Sequence, residues 1–467
     1  MKEGIPEPAD GQERTLSSLT LTRNQADRMM GAPRGSPLGM KTRREITPVE
    51  AGGETPLTAF SPAVSTRGTQ RELQVRILLL GVGMQGAAAL YDLARSEDVE
   101  EVVAADLDID RARASLLFKP YRAKVRFERL DAEHGESIDR LMGLRPDAAI
   151  DLLPVAFHDA VTSSAIRNHI HIVNASYPSM KITAMSDEAE AQGVTVLPEF
   201  GMDPGIDLVL MGEAARSLDT VEEITTYGAG FPEREAADNP LKYKVTWNLA
   251  GVLESYHRPA RIIRNGAVVD IAADEVFSPE NIHEIDIEGV GRLEAFPNGD
   301  AAKYADLLGI SRPELRNTGR YVLRWPGHCA QWKTLADLGL LDDEPLSVDG
   351  VSVNRRHYLA KLLEPRIQYA PGERDVVVVR IEAAGVRAES KTKVVHQVID
   401  LRDLETGITA MGRTVGFTAS IGAQMIASGR IAKRGVISPL GDVPYEAFTR
   451  ELGKRGIGIE SDLTTGN

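Results

Sequence analysis

Cysteine is almost absent: Cys329 stands alone in 467 residues. An intrachain disulfide and a cysteine-rich zinc site are both excluded, and a reducing compartment fits. No apolar run approaches the roughly 18 residues needed to span a bilayer. The first residues lack the basic stretch and apolar core of an export signal, so the expected location is cytoplasmic. An excess of positive charge is missing too. Lys+Arg number 54 against 68 Asp+Glu, a formal charge of −14, which repels phosphate backbones and anionic membranes. Nucleic acid and membrane partners are therefore not expected. There is no G-x-S-x-G, Walker or zinc-protease motif. His134, His169, His171, His283 and His357 have no metal-ligand spacing, and no metal is expected.

Hydrophobic residues (42%) and charged residues (26%) are at globular levels, and the length suits two or three domains. Residues 1–71 are rich in Gly, Pro, Ser, Thr, Arg and Glu without periodicity; Gly31-Ala32-Pro33-Arg34-Gly35-Ser36-Pro37 is typical. Such a segment buries too little apolar surface to order itself, so a disordered leader is expected, with Met40 an alternative start. Activity should survive its deletion.

From Val75 the pattern changes. Val75–Leu80, Val99–Ala105, Ala148–Leu153, Ile170–Ala175 and Val194–Pro198 read as buried strands. Helices of Ala87–Arg95 and Asp159–Asn168 type alternate with them. That alternation predicts an α/β domain over 72–200, a Rossmann-type doubly wound parallel sheet. After Asp219 strand-like segments crowd together: Glu223–Tyr227, Lys244–Trp247, Ala260–Arg264, Gly319–Arg324, Val376–Glu382 and Thr392–Asp400. They predict a mixed or antiparallel α+β substrate domain over 201–410. A small-residue helix, Val415–Ser428, should pack back on the first domain with the tail, 411–467.

Gly81-Val82-Gly83-Met84-Gln85-Gly86 matches G-x-G-x-x-G between a predicted strand and a predicted helix, the context that gives the motif meaning. Gly81 allows the tight turn, Gly83 the approach of a pyrophosphate, and Gly86 close helix–strand packing. Met84 and Gln85 open the helix whose amides face the anion. Asp106 ends the second strand, 20 residues after Gly86. A carboxylate there accepts ribose hydroxyls and repels a 2′-phosphate, favouring NAD over NADP. Downstream, Leu153, Pro154 and His158 follow one strand and Ser176 and Tyr177 the next, at carboxyl ends that face the ligand crevice. In Gly201-Met202-Asp203-Pro204-Gly205-Ile206-Asp207, Asp203 is a good N-cap and Pro204 a good first helical residue.

These segments, with Asp238-Asn239-Pro240-Leu241-Lys242-Tyr243-Lys244-Val245-Thr246-Trp247, resemble the saccharopine dehydrogenase family of the glutamate-releasing kind and its relative lysine 6-dehydrogenase. The resemblance runs from about Val75 to the C-terminus. It implies hydride abstraction from an amine-bearing carbon and hydrolysis of the imine. Saccharopine would give glutamate and 2-aminoadipate semialdehyde; lysine would give that semialdehyde and ammonia. The amine must lose its proton first, and Asp203, His158 and Tyr177 are the candidate acceptors. Leu153, Pro154 and Ser176 fall against the cofactor. Tyr243, Lys244, Trp247 and Arg258 are candidates for substrate binding, the cations for its carboxylates.

The resemblance is divided. Fungal enzymes associated with NADP carry arginine where this chain has Asp106, and another after the Trp motif where this chain has Asn248-Leu249-Ala250-Gly251; plant and animal forms are more similar there. Ile262–Gly266, Gly327-His328 and Lys433–Val436 are closer to lysine 6-dehydrogenase, in which the residue at the Asp203 position is not acidic. Saccharopine is the first expected substrate, lysine the second. A nucleotide sensor without catalysis is the reading from another class. A homodimer through the second sheet is implied by the resemblance alone.

Overall fold

The computed structural model describes residues 75–114 and 120–466; the leader expected over 1–71 lies outside the described residues. The chain enters on β1 (Val75–Leu80), of which only Arg76 is not buried. Burial on both faces removes alternation and leaves a continuous apolar run. β2 (Val99–Asp106), β3 (Val125–Arg129), β4 (Ala148–Asp151), β5 (His171–Asn174) and β6 (Thr195–Leu197) follow, all parallel, in the order β3-β2-β1-β4-β5-β6. This is the doubly wound dinucleotide order. It reverses between β1 and β4, and ligands bind such sheets at the carboxyl ends beside that point. The helices Met84–Arg95 and His158–Arg167 are among those covering it.

The long strand β7 (Thr220–Pro232) starts a mixed sheet with β8 (Ala260–Arg264), β9 (Ala267–Ile271), β10 (His283–Ile287), β11 (Gly291–Pro297) and β12 (Asn317–Arg324). A small hairpin, β13 (Leu346–Val348) and β14 (Val351–Val353), stands apart from it. β15 (Asp375–Arg387) and β16 (Ser390–Leu401) complete the centre. The order is β10-β11-β12-β7-β15-β16, with β12 and β7 parallel and the other neighbours antiparallel. The mixed sheet is as expected, except that Lys244–Trp247 is not a strand. Tyr243, Lys244, Val245 and Thr246 are all buried in an irregular segment, where the Val245 amide donates to Ile367 O at 2.9 Å.

The chain then returns. Residues Ala410–Ala427 are helical, with a π-helical turn at Arg413–Phe417. This turn lies on the Met84–Arg95 helix: a Cβ on Gly416 would collide with Gln85 O. β17 (Gly435–Val436) adds to the first sheet beside β6. The tail does not end there, contrary to expectation. β18 (Glu460–Thr465) pairs with β16 at the edge of the second sheet.

Candidate active site

The glycine turn has the geometry its spacing implies. Gly81 has φ +88°, and a Cβ there would lie 2.7 Å from Leu152 O. A Cβ on Gly86 would collide with Gly81 O, whereas one on Gly83 would meet nothing within 4 Å among the described residues. Gly83 caps the helix without any side-chain acceptor, so the first-turn amides at Met84 and Gln85 face an open cradle. Met84 is 47% exposed. Asp106 sits at the end of β2, where Oδ2 accepts the Val82 amide at 2.6 Å and Oδ1 the Asp108 amide at 2.9 Å. These residues fit a dinucleotide, with a carboxylate under the turn.

Leu153 and Pro154 form the loop against Gly81. Leu153 N donates to Asp151 Oδ1 at 3.1 Å, and His158 Nε2 lies 2.9 Å from Leu153 O. His158 is buried, 3.9 Å from Asp151 Oδ2. It holds the loop and does not join the other two candidate proton acceptors. Burial pushes the Asp151 carboxyl up to about 6. Ser176 N donates to Asn174 Oδ1 at 3.0 Å, and Ser176 O accepts Glu199 N at 2.9 Å, which ties the ends of β5 and β6 together.

Asp203 does not cap a helix. It precedes a cis peptide to Pro204; the helix is Ile206–Arg216, and its cap is Gly205 at φ +146°. The side chain that meets the Gly205 amide is Asp207, at 2.7 Å. Asp203 is thereby free to reach across to the second sheet, where Gly228 of β7 leaves space for its carboxylate. There it meets Arg320 of β12, a residue no motif marked. Arg320 Nη2 donates to Asp203 Oδ1, lies 2.7 Å from Asp207 Oδ2 and 3.4 Å from the Tyr177 hydroxyl. Its guanidinium stacks 4.7 Å from the Tyr304 ring, and Tyr304 donates to Glu199 Oε1 at 2.6 Å. Glu199 is itself at φ +58°, a sparsely populated conformation for a side-chain-bearing residue. Arg258, half-exposed, lies 6.0 Å from the Tyr177 ring centroid.

Two carboxylates against one cation leave the cluster short of positive charge. Burial pushes the Asp207 carboxyl up to about 7, with Asp203 adding to the shift and Arg320 opposing it. The side chain of Asp203 is 19% exposed and that of Asp207 only 1%. Desolvation also raises the Tyr177 hydroxyl above its usual range. Asp203 is thus the carboxylate with access to solvent, Asp207 its buried counterpart, and Tyr177 a hydroxyl kept neutral.

Tyr243, Lys244 and Trp247 are engaged with neighbours of their own. Lys244 Nζ lies 2.7 Å from both Glu373 oxygens and 3.0 Å from Asp238 Oδ1, so its charge is already met. Tyr243 is buried with its hydroxyl 3.3 Å from Thr246 Oγ1. Trp247 packs over Gly251. Among the described residues no group of three or more His, Cys, Asp or Glu is arranged to hold a metal ion. No helix among them is long and apolar enough to cross a membrane.

The one textual trace of Arg320 is its place. It shares a face of a predicted strand with Val322, a charge at a core-facing position.

Comparison with known proteins covers both halves. Residues 77–197 match the family model described as saccharopine dehydrogenase NADP binding domain, and 201–457 the saccharopine dehydrogenase C-terminal domain. The mitochondrial alpha-aminoadipic semialdehyde synthase of Rattus norvegicus is 27% identical over 83% of this chain and 48% of its own length. The chain thus spans about half of that relative. Saccharopine dehydrogenase [NADP(+), L-glutamate-forming] of Saccharomyces cerevisiae is 26% identical over 80% of this chain and 96% of its own. The solved apo saccharopine dehydrogenase (L-Glu forming) from that yeast superposes with a TM-score of 0.71, at 24% identity, over 84% of this chain and 100% of the other, a likeness of fold. With both domains matched in order on that fold, the chain belongs to the saccharopine dehydrogenase family.

Proposed function

We propose that the chain oxidises saccharopine at its secondary amine with a nicotinamide dinucleotide, giving L-glutamate and 2-aminoadipate 6-semialdehyde. The observation that carries this reading is the cluster of Asp203, Tyr177 and Arg320, built where the ends of β5 and β6 meet the second sheet. The bound dinucleotide supplies the hydride acceptor, and Gly81, Gly83, Gly86 and the first-turn amides would hold its pyrophosphate. Asp203 takes the proton of the substrate amine. Asp207 and Arg320 fix its position, and Tyr177 donates to the water that splits the imine. Arg258 offers a partly exposed cation to a carboxylate.

NAD is the proposed cofactor, because Asp106 places a negative charge where NADP carries its 2′-phosphate. The names of the yeast relative and of the matched nucleotide domain carry NADP instead. A second reading is oxidative deamination of L-lysine, favoured by Lys244: already paired twice, it is not free for the several carboxylates of saccharopine. A homodimer belongs to the same proposal, and sedimentation velocity tests it.

The deciding experiment is reduced-dinucleotide formation with saccharopine and L-lysine, each with NAD and NADP. Saccharopine turnover with NAD is expected. Preference for lysine would move the chain to the second reading, and silence with both would sink the reaction class. Asp106→Ala should narrow the preference for NAD by at least about tenfold, since it removes a like-charge contact.

A further inference from the structure

Arg320 and Arg324 leave the same face of β12, because side chains of a strand alternate. At roughly 3.3 Å per residue they stand about 13 Å apart along it. Parallel pairing sets Arg320 beside Thr226 and Val322 beside Gly228 of β7. Gly230 is the next residue of β7 on that face. The space that side chains of these two glycines would fill is taken by Asp203 over Gly228 and by Met411 Cε over Gly230, with Thr246 Oγ1 alongside.

The two arginines differ in their partners. Arg320 has two carboxylates; among the described residues Arg324 has none. Arg324 is 5% exposed and lies 4.9 Å and 5.7 Å from the Tyr243 and Tyr256 ring centroids. Its Nε donates to the Tyr256 hydroxyl at 3.0 Å and Nη1 to Leu323 O at 2.8 Å. Among the described residues nothing accepts from Nη2, and no carboxylate is within ion-pairing distance. Among the described residues the buried Tyr369 hydroxyl also lacks a partner; Asp375, Arg324 and Glu373 are the charged groups acting on it. Aromatic faces relieve a buried cation only partly, and a buried charge without a counter-charge is costly. A carboxylate is the ligand that an unfilled guanidinium edge takes best.

We propose that Arg324 receives the distal carboxylate of an extended amino acid whose amine lies beside Asp203, which makes it the residue that selects substrates with a carboxylate at each end. This rests on the reading of the Asp203 cluster as the amine-oxidising site. Met411, flexible about its thioether, is the side chain the substrate arm displaces.

The test compares the full chain with Arg324→Gln and Arg324→Lys on saccharopine and L-lysine. It adds calorimetry with a series of α,ω-dicarboxylates from glutarate to sebacate. For saccharopine, Arg324→Gln should raise KM on the order of 100-fold, the worth of a charge-assisted pair, with kcat little changed. Lysine kinetics should not move, and Arg324→Lys should recover part of the loss. Dicarboxylates should bind with a chain-length optimum that Arg324→Gln abolishes. Saccharopine turnover with an unchanged KM in Arg324→Gln would overturn the site and leave the reaction standing. A chain-length optimum dependent on Arg324, without turnover of either substrate, would support the site and overturn the reaction. Equal loss for both substrates, with no recovery in Arg324→Lys, would make Arg324 merely structural.

Discussion

Asp151 and Asp207 are carboxyls that sequence presents as ordinary and burial makes unusual. Among the described residues Asp151 Oδ2 is buried without a hydrogen-bond partner, and burial pushes its carboxyl up to about 6 from 3.8. The folded protein therefore holds this proton more tightly than the unfolded chain. The stabilisation is complete below about pH 4 and is lost as pH rises through 6. A difference of that size is worth about 3 kcal/mol. Asp151→Asn should remove this part of the pH dependence, which urea unfolding at a series of pH values would reveal. Identical slopes in the two proteins would show that Asp151 does not titrate in this window. His158 shows the limit of reading residue types: a histidine in a crevice loop suits proton transfer, yet its ring is spent on Leu153 O.

Elements were legible where one period dominates. β1, β2 and the glycine turn between them need only local chemistry: a buried run, a positive φ and a helix start. The start of the Ile206–Arg216 helix was misplaced because Asp203 and Pro204 have good cap chemistry; the site instead directs Asp203 away from the helix. Val245, Thr246 and Trp247 have strand propensity, yet tertiary packing buries Tyr243 to Thr246 in an irregular stretch. The π-helical turn at Arg413–Phe417 has no sequence signature, though it joins the two halves of the site. Gly416 abuts Gln85 O and Ala89 N of the dinucleotide helix, while Val415 packs on Gly201 of the Asp203 loop. Gly416→Ala should cost about 1–3 kcal/mol by overpacking and weaken dinucleotide binding, as read by urea unfolding and dinucleotide titration. Unchanged stability and affinity would show that the two helices adjust without cost.

Across the whole molecule, distant segments are joined by charge as well as by apolar packing. Asp92 of the dinucleotide helix is buried and pairs with Arg455 at 2.7 Å; Arg455 also meets Glu451 at 2.8 Å. Burial raises the Asp92 carboxyl, and Arg455 opposes that rise. Arg455→Met should destabilise the protein by about 3–5 kcal/mol, because it strands a buried charge. Asp92→Asn combined with Arg455→Met should cost less than Arg455→Met alone. A double variant no more stable than the single one would rule out the stranded charge as the cause.

Residue order alone carries the dinucleotide turn, the two-sheet division and the family motifs, because each depends on neighbours in the chain: a period, a glycine, a cap. It could not carry the partners of Asp203. Arg320 is 117 residues away, and the contact exists because β12 lies parallel beside β7 at the register that sets Arg320 next to Thr226. Nor could it tell a free lysine from Lys244, neutralised by Glu373, 129 residues on. Charges act through space, and pairing across a sheet is decided only when the chain has folded.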